Sequence, residues 1–237
     1  MPDRRPSAFA ATRWTLVLES SGGTPKARAA LRELCDIYYA PVVSFVRRWR
    51  QDGDEDASRD QAHAFFESVL ANEKFGEPDP QRGRFRNYLL GAVKHFLIEQ
   101  RRLAATEKRG GRAEHEALEE GVHAGPETDA SAFDREWALA LIGRALGDLE
   151  SEMAAAGKSE QFAVLEPWLD GNADSPQAEA AEVLGLSGTA IKVAIHRLRE
   201  RFRAKVRAEV AATLHDPAEL DAELRHLVAA LASGGAG

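Results

Sequence analysis

The chain has 237 residues, a formal net charge of −7 and one cysteine. This cysteine, Cys35, cannot form an internal disulfide, and a multi-cysteine zinc site is excluded as well. No run of about 18 apolar residues is present, which excludes a membrane-spanning helix. Residues 1–10 lack the continuous apolar core of a secretory signal. We therefore expect a cytoplasmic protein without a membrane partner.

Helix-forming residues dominate the chain, and no segment alternates apolar and polar residues between turns as a strand does. This composition predicts an all-α fold. In the first part of the chain, apolar residues recur at the three- and four-residue spacing of helices that bury one face. The predicted helices cover residues 12–20, 26–49, 57–72 and 84–105. We expect them to form a four-helix first domain over residues 8–108.

Charge is strongly segregated along the chain. Residues 113–134 contain seven acidic residues and no Lys or Arg, whereas residues 82–112 and 192–207 are basic. A DNA phosphate near either basic stretch would experience the local charge and not the chain average. The acidic stretch has little apolar surface to bury, so we predict a flexible acidic linker over residues 109–132.

A predicted second domain, residues 133–214, contains the pattern of a helix-turn-helix. Ser175 and Pro176 are typical of a helix start. Gly185 is suited to the left-handed conformation that ends a short helix, and Ser187 is suited to capping the next one. A short helix, a glycine-containing turn and a capped longer helix together indicate a helix-turn-helix motif.

The longer helix of this motif has an apolar stripe and an opposite polar face. At about 100° per residue, the stripe contains Ile191, Ile195, Leu198, Phe202 and Val206. The N-terminal part of a recognition helix enters the major groove, where polar-face residues read bases. The candidate base readers are Thr189, Lys192, Val193 and His196. Arginines further along are candidates for phosphate contacts, which position the protein without reading sequence. They are Arg197, Arg199, Arg201 and Arg203.

Two other interpretations of this basic helix remain open. A charged helix can also face an acidic partner protein, which would make the chain a protein-interaction module. Helix-turn-helix motifs also occur in repressors and activators that bind duplex DNA without polymerase. The motif alone does not distinguish these regulators from an initiation factor.

Three segments of the chain resemble segments of one known protein family and occur in the same order as in that family. Residues 177–199 have the sequence QAEAAEVLGLSGTAIKVAIHRLR, which resembles the promoter-binding C-terminal domain of extracytoplasmic-function sigma factors. Residues 79–97 read DPQRGRFRNYLLGAVKHFL and look like the family's second conserved region. Residues 9–15, FAATRWT, are similar to the N-terminus of a subgroup abundant in planctomycete-like bacteria. The resemblance covers most of residues 8–210 and implies a sigma factor with region 2-like and region 4-like helical domains.

The resemblance implies two promoter contacts. The recognition helix would face the minus-thirty-five element as duplex DNA through Thr189, Lys192, Val193, His196, Arg197, Arg199 and Arg203. The loop over residues 74–84 and the next helix would hold the opened strand at the minus-ten element. The residues implied there are Arg82, Arg84, Arg86, Asn87, Tyr88 and Lys94, in which basic groups attract phosphates and an aromatic ring can stack. In the family, the linker lies in the RNA exit path of polymerase, where an acidic linker would resemble RNA in charge.

Core RNA polymerase is the protein partner that the resemblance implies. The residues implied to bind its clamp are Asp60, His63, Phe66 and Glu67. Family members usually carry an Asp-Leu-x-Gln-Glu-like run before paired aromatic residues. This chain departs from that run at Gln61, His63 and Ala64, which favours the alternative of a regulator without polymerase binding.

Residues 215–237 form a C-terminal extension beyond the family's two domains. A predicted helix over residues 217–231 has a stripe of Leu and Val residues. We expect it either to fold back on the C-terminal domain or to bind a regulatory protein such as an anti-sigma factor.

The sequence offers no candidate catalytic or metal site. Its seven histidines include no helical pair at four-residue spacing and have no cysteine partner. A Gly-rich phosphate loop, a nucleophile elbow and a His-Glu-x-x-His motif are all missing. We therefore expect no enzymatic activity, no metal and no cofactor.

Overall fold

A computed structural model describes residues 24–71, 85–108, 127–169 and 177–232. Within these ranges every regular element is helical, which confirms the predicted all-α class for this part of the chain. The α-helices are α1 (Pro25–Arg50), α2 (Glu55–Ala71), α3 (Phe85–Lys108), α4 (Glu127–Ala155), α5 (Ser159–Leu165), α6 (Gln177–Val183), α7 (Gly188–Ala212) and α8 (Leu220–Ala232). Two short 3-10 turns cover Glu166–Trp168 and Pro217–Glu219. The helix expected over residues 12–20 lies outside the described residues.

The chain divides into two compact units with boundaries that differ from the predicted ones. One unit comprises Met1–Ala138 and Ala212–Gly237, and the other comprises Leu139–Ala211. Helix α4 begins at Glu127, so its first turns occupy the end of the segment expected to be a linker. The rest of that segment, residues 109–126, lies outside the described residues.

An aromatic cluster forms the core of the first unit. Tyr38 and Phe45 of α1, Phe85 of α3 and Phe133 of α4 are almost completely buried. The ring centroids of Tyr38 and Phe85 lie 4.9 Å apart, and those of Phe45 and Phe133 lie 6.3 Å apart. Both pairs meet edge to face, which is the arrangement that the aromatic quadrupole favours. Because Phe133 packs here, the start of α4 belongs to the first unit and not to the second domain.

Helix α8 also belongs to the first unit. Its buried side chains are Glu223, Leu227 and Ala230, and Glu223 contacts Arg86 of α3. The expectation that this helix folds back on the helix-turn-helix domain is therefore wrong. Its position depends on a contact between residues far apart in the sequence, which helical periodicity does not reveal.

The second unit has a separate core formed by the end of α4 and by α5, α6 and α7. Leu149, Leu165, Trp168, Ile191 and Ile195 are buried together. Helix α4 ends at Ala155, and two residues later Gly157 has a positive φ of 68°, which allows the chain to reverse toward α5. One face of α7 packs into this core, and it is the face of the predicted apolar stripe.

Candidate nucleic-acid interface

The turn before α7 has the geometry expected of a helix-turn-helix. Gly185 has a φ of 63°, and its N–H donates to the carbonyl of Glu182 at 3.1 Å. The N–H of Leu186 donates to the carbonyl of Ala181 at 2.8 Å. These two hydrogen bonds form a Schellman motif, which satisfies carbonyls at the end of α6. The predicted role of Gly185 is confirmed.

Ser187 caps the N-terminus of α7. Its Oγ accepts a hydrogen bond of 3.2 Å from the N–H of Ala190, and its carbonyl accepts one of 3.0 Å from the N–H of Ile191. The hydroxyl satisfies one of the N–H groups left unpaired at a helix start. The predicted cap is confirmed, whereas Ser175 and Pro176, expected to begin the preceding helix, lie outside the described residues.

The four candidate base readers share one exposed face of α7. Ile191, Ile195 and Leu198 turn into the core, while the opposite side remains accessible to solvent. At 100° per residue, the candidate readers span an arc of about 100°. They are Thr189, Lys192, Val193 and His196, all of them exposed. The structure thus brings together the side chains that the sequence grouped by periodicity.

The candidate phosphate contacts differ in their surroundings. Arg197 is exposed and makes no ion pair within the part of the chain that the structure describes. Arg199 is half-buried, and its Nε donates to the backbone carbonyl of Trp168 at 2.7 Å. One guanidinium nitrogen of Arg203 lies 2.6 Å from Oε1 of Glu200. Arg197 therefore matches the expectation, whereas Arg199 anchors α7 and Arg203 shares its charge with a neighbouring carboxylate.

Glu152 neutralises part of the basic charge of α7. Its carboxylate lies 2.6 Å from a guanidinium nitrogen of Arg201 and 2.7 Å from Nζ of Lys205. Hydrogen bonds from Lys205 and then from Arg201 hold the pKa of Glu152 below its ordinary value. The basic excess of α7 is therefore strongest toward its N-terminal half, at Lys192 and Arg197.

An open groove runs beside the exposed face of α7. Its apolar lining includes Leu165, Leu186 and Val193, and its cationic lining includes Lys158 and Arg197. Val193 and Arg197 also belong to the candidate DNA-binding set. A ligand in this groove would therefore cover part of the face assigned to DNA.

In the first unit, the residues that are candidates for the minus-ten contact differ in their exposure to solvent. Arg82 and Arg84 lie outside the described residues. Asn87 is exposed, and Tyr88 is half-buried, so that burial raises its pKa to about 12. Nζ of Lys94 lies 5.9 Å from the ring centroid of Phe45, close enough for a cation–π contact.

Arg86 departs most from the expected arrangement, because only 5% of it is exposed. Its Nε donates to Oε1 of Glu223 at 2.8 Å, and a terminal nitrogen donates to Oδ1 of Asp134 at 2.7 Å. Burial lowers the pKa of Arg86, but the carboxylates of Glu223 and Asp134 outweigh this effect and raise it, so the guanidinium stays charged. Its guanidinium carbon lies 5.3 Å from the ring centroid of Trp137. Arg86 is therefore not an exposed phosphate contact in this conformation.

The residues implied to bind polymerase include one core residue. Asp60, His63 and Glu67 are exposed along α2, whereas Phe66 is buried. The ring nitrogen Nε2 of His63 lies 2.8 Å from the hydroxyl of Tyr39. Phe66 faces inward because it belongs to the apolar stripe that packs α2 on its neighbours. The accessible part of this set is therefore Asp60, His63 and Glu67.

The first unit also contains a basic surface that the sequence reading did not assign. Arg47 and Arg48 are exposed in the last turn of α1. The guanidinium carbon of Arg101 in α3 lies 5.8 Å from the ring centroid of Trp49. This contact brings the basic end of α1 beside the basic half of α3. The basic last turn of α1 was visible in the sequence, but its proximity to α3 was not.

The described residues were compared with the requirements of a membrane-spanning helix and of a metal site, and they meet neither. None of the helices is both long and apolar enough to cross a bilayer. No group of three or more side chains of the types that bind metals is found in these ranges. Comparisons of the chain with protein-family models, curated proteins and solved structures gave no match.

Proposed function

We propose that the chain is a sigma-type initiation protein that binds core RNA polymerase and directs it to a subset of promoters. Its two helical units would recognise the minus-ten and minus-thirty-five elements. The observation that carries the proposal is the capped helix α7, which follows a Schellman turn and exposes Thr189, Lys192, Val193 and His196 together. The proposal requires no catalytic activity and no cofactor, and it places the protein in the cytoplasm.

Recognition of the minus-thirty-five element rests on the shape and charge of α7. The major groove of B-DNA is about 12 Å wide and admits an α-helix with its side chains. The exposed face near the N-terminus of α7 would meet base edges, while Lys192 and Arg197 lie beside it without an ion pair in the described residues. On binding, these cations would displace counterions that are condensed on the DNA, which makes the affinity depend on salt.

The minus-ten contact would use α3 in the first unit. Asn87 is exposed and Tyr88 is half-buried on α3. The same unit carries the basic surface of Arg47, Arg48 and Arg101. Cations attract the phosphates of a single strand, and aromatic rings can stack on its bases. The roles of the residues in the loop before α3 rest on the resemblance alone.

Polymerase binding would use the exposed face of α2. Asp60, His63 and Glu67 follow one another at helical spacing and are accessible to solvent. This surface differs in sequence from the family's usual run at Gln61, His63 and Ala64.

A retention experiment with bacterial core RNA polymerase tests this contact. The full-length chain should be retained by polymerase and should direct transcription from specific start sites on genomic fragments. Asp60→Lys should abolish retention, because it reverses a charge on the proposed surface. Glu55→Lys reverses an exposed charge on another side of the same helix and serves as the matched control. Equal retention of both variants would place the polymerase contact elsewhere.

The helix-turn-helix motif also supports an alternative function, that of a regulator that binds duplex DNA without polymerase. It would show no retention by polymerase, together with duplex binding that weakens steeply between about 50 and 200 mM salt. Its support is the departure of Gln61, His63 and Ala64 from the family pattern.

The groove beside α7 favours a further alternative, a protein-interaction module. Leu165, Leu186 and Val193 would receive apolar side chains, and Lys158 and Arg197 would attract acidic ones. The matching partner is an acidic amphipathic segment, as a regulatory protein of the anti-sigma type would supply. Such a partner would compete with duplex DNA for the chain, and competition in solution would identify it.

A further inference from the structure

Helix α8 covers a cation that the proposed function would assign to DNA. Glu223 of α8 is 1% exposed, and its Oε1 lies 2.8 Å from Nε of Arg86. His226, one turn further along α8, places Nε2 at 2.8 Å from Oδ2 of Asp134 and at 2.8 Å from a guanidinium nitrogen of Arg86. The C-terminal extension thus contacts α3 at the residue directly before Asn87 and Tyr88.

The carboxylates around Arg86 occupy the donors that a phosphate would use. Glu223 accepts from Nε, and Asp134 accepts from a terminal nitrogen at 2.7 Å. Arginine presents these donors in a planar fork that fits carboxylate and phosphate oxygens equally well. Arg86 therefore cannot bind a nucleic-acid phosphate with these donors while α8 is in place.

The attachment of α8 combines apolar contacts with these charges. Of its thirteen residues, the buried ones are Glu223, Leu227 and Ala230, while Leu220, Leu224 and Leu231 are half-buried. Val228 on the same helix is 64% exposed. A buried ion pair contributes little net stability, because desolvation of the charges offsets most of their attraction. An anion that replaces Glu223 at Arg86 therefore has to offset only a small net contribution to the attachment of α8.

We propose that α8 is an intramolecular competitor of nucleic-acid phosphate for Arg86. In the closed state, Glu223 holds the guanidinium and α8 covers this part of α3. When α8 leaves, Nε of Arg86 loses its partner Glu223 and becomes available beside Asn87 and Tyr88 for the backbone of an opened strand, while Asp134 of α4 keeps its contact with a terminal nitrogen. This inference rests on the proposed function, because it assigns α3 to single-stranded DNA.

Binding of fluorescein-labelled oligothymidine to the full-length chain, followed by anisotropy, tests the competition. Glu223→Gln removes the carboxylate charge with little change of shape. We expect it to bind the oligonucleotide about tenfold more tightly, because the neutral amide holds the guanidinium of Arg86 less strongly than the carboxylate does. Asp221→Asn removes the same charge from an exposed position on the same helix and should change affinity by about twofold at most.

A double variant assigns the gain to Arg86. Glu223→Gln combined with Arg86→Gln should lose the added affinity, because the cation released by the first change is then missing. Hydrogen exchange gives an independent measurement: oligothymidine should speed amide exchange in α8 of the unmodified chain. DNA that binds without affecting α8 would overturn the competition, as would equal affinities of the unmodified chain and a folded Glu223→Gln variant.

The remaining outcomes separate this inference from the proposed function. If Glu223→Gln does not fold, as judged by circular dichroism, α8 is a structural element and the competition is overturned. If polymerase retains the unmodified chain but Glu223→Gln brings no gain, the inference fails and the proposed function stands. If neither polymerase nor DNA binds the unmodified chain, both are overturned.

Discussion

The Nε of Arg199 donates a hydrogen bond of 2.7 Å to the backbone carbonyl of Trp168. This bond joins the middle of α7 to the 3-10 turn after α5, within the unit whose core contains Trp168. Arg199 therefore contributes to the position of α7 as well as to its charge. The neighbouring Arg197 is exposed and contributes charge alone.

We expect Arg199→Ala to lower the free energy of unfolding by about 1 kcal/mol, the usual net contribution of an intramolecular hydrogen bond. Its affinity should fall for all duplex sequences alike. Arg197→Ala should lower affinity without changing stability. Urea unfolding followed by circular dichroism, with duplex binding by anisotropy, separates the two effects. An equal loss of stability in both variants would contradict the anchoring role of Arg199.

Substitutions on the exposed face of α7 should change sequence preference. Lys192→Ala or His196→Ala should reduce discrimination at a base pair by about 1–3 kcal/mol if that side chain reads a base edge. Lys205→Ala removes the same charge as Lys192→Ala, but Lys205 is paired with Glu152 at 2.7 Å, so it should leave preference unchanged. Competition binding with a randomised duplex library measures this. Unchanged preference in both reading-face variants would refute the assignment of this face.

Substitution by alanine should change the stability in opposite directions at two nearby glycines, Gly185 in the turn before α7 and Gly188 at the start of α7. Gly185 has a φ of 63°, whereas Gly188 does not have a positive φ, and a Cβ at either meets nothing within 4 Å. Gly185→Ala should therefore lower stability by about 1–2 kcal/mol through backbone strain alone. Gly188→Ala should leave stability unchanged or raise it by up to about 1 kcal/mol. Urea unfolding of the two variants checks this difference, and similar effects would argue against the Schellman turn.

Glu152 should contribute an acid-sensitive part of the stability. Its pKa is lowered in the folded protein by hydrogen bonds from Lys205 and Arg201. A carboxyl group whose pKa is lowered in the folded state stabilises the fold at pH values above its ordinary pKa of 4.5. This contribution disappears as the pH falls through the folded-state pKa. Glu152→Gln should therefore be less stable than the unmodified chain at neutral pH and equal to it in acid.

Urea midpoints across this pH range, at low and high salt, measure the effect of Glu152. The difference should shrink at high salt, because exposed charges are screened. Glu150→Gln, at an exposed position without an ion pair in the described residues, is the matched control. A pH-dependent difference of the same size in both variants would show that the pairs with α7 are not its origin.

Features that depend on neighbouring residues could be predicted from the sequence alone. The spacing of Ile191, Ile195 and Leu198 was enough to find the buried face of α7, because a helix has a fixed angular period. Gly185 and Ser187 were recognisable because the turn and the cap involve hydrogen bonds within a few residues. The all-α class followed in the same way from local composition.

The contacts between residues far apart in the sequence became evident from the folded structure alone. Arg86 looked like a surface cation on a basic helix, yet its partner Glu223 lies 137 residues away in the sequence. Phe133 was assigned to the second domain from its position in the chain, but it packs against Tyr38 and Phe45 in the first unit. Helical periodicity identifies which face of a helix is buried but not what covers it. That choice depends on the shapes and charges of the faces that meet when the chain folds.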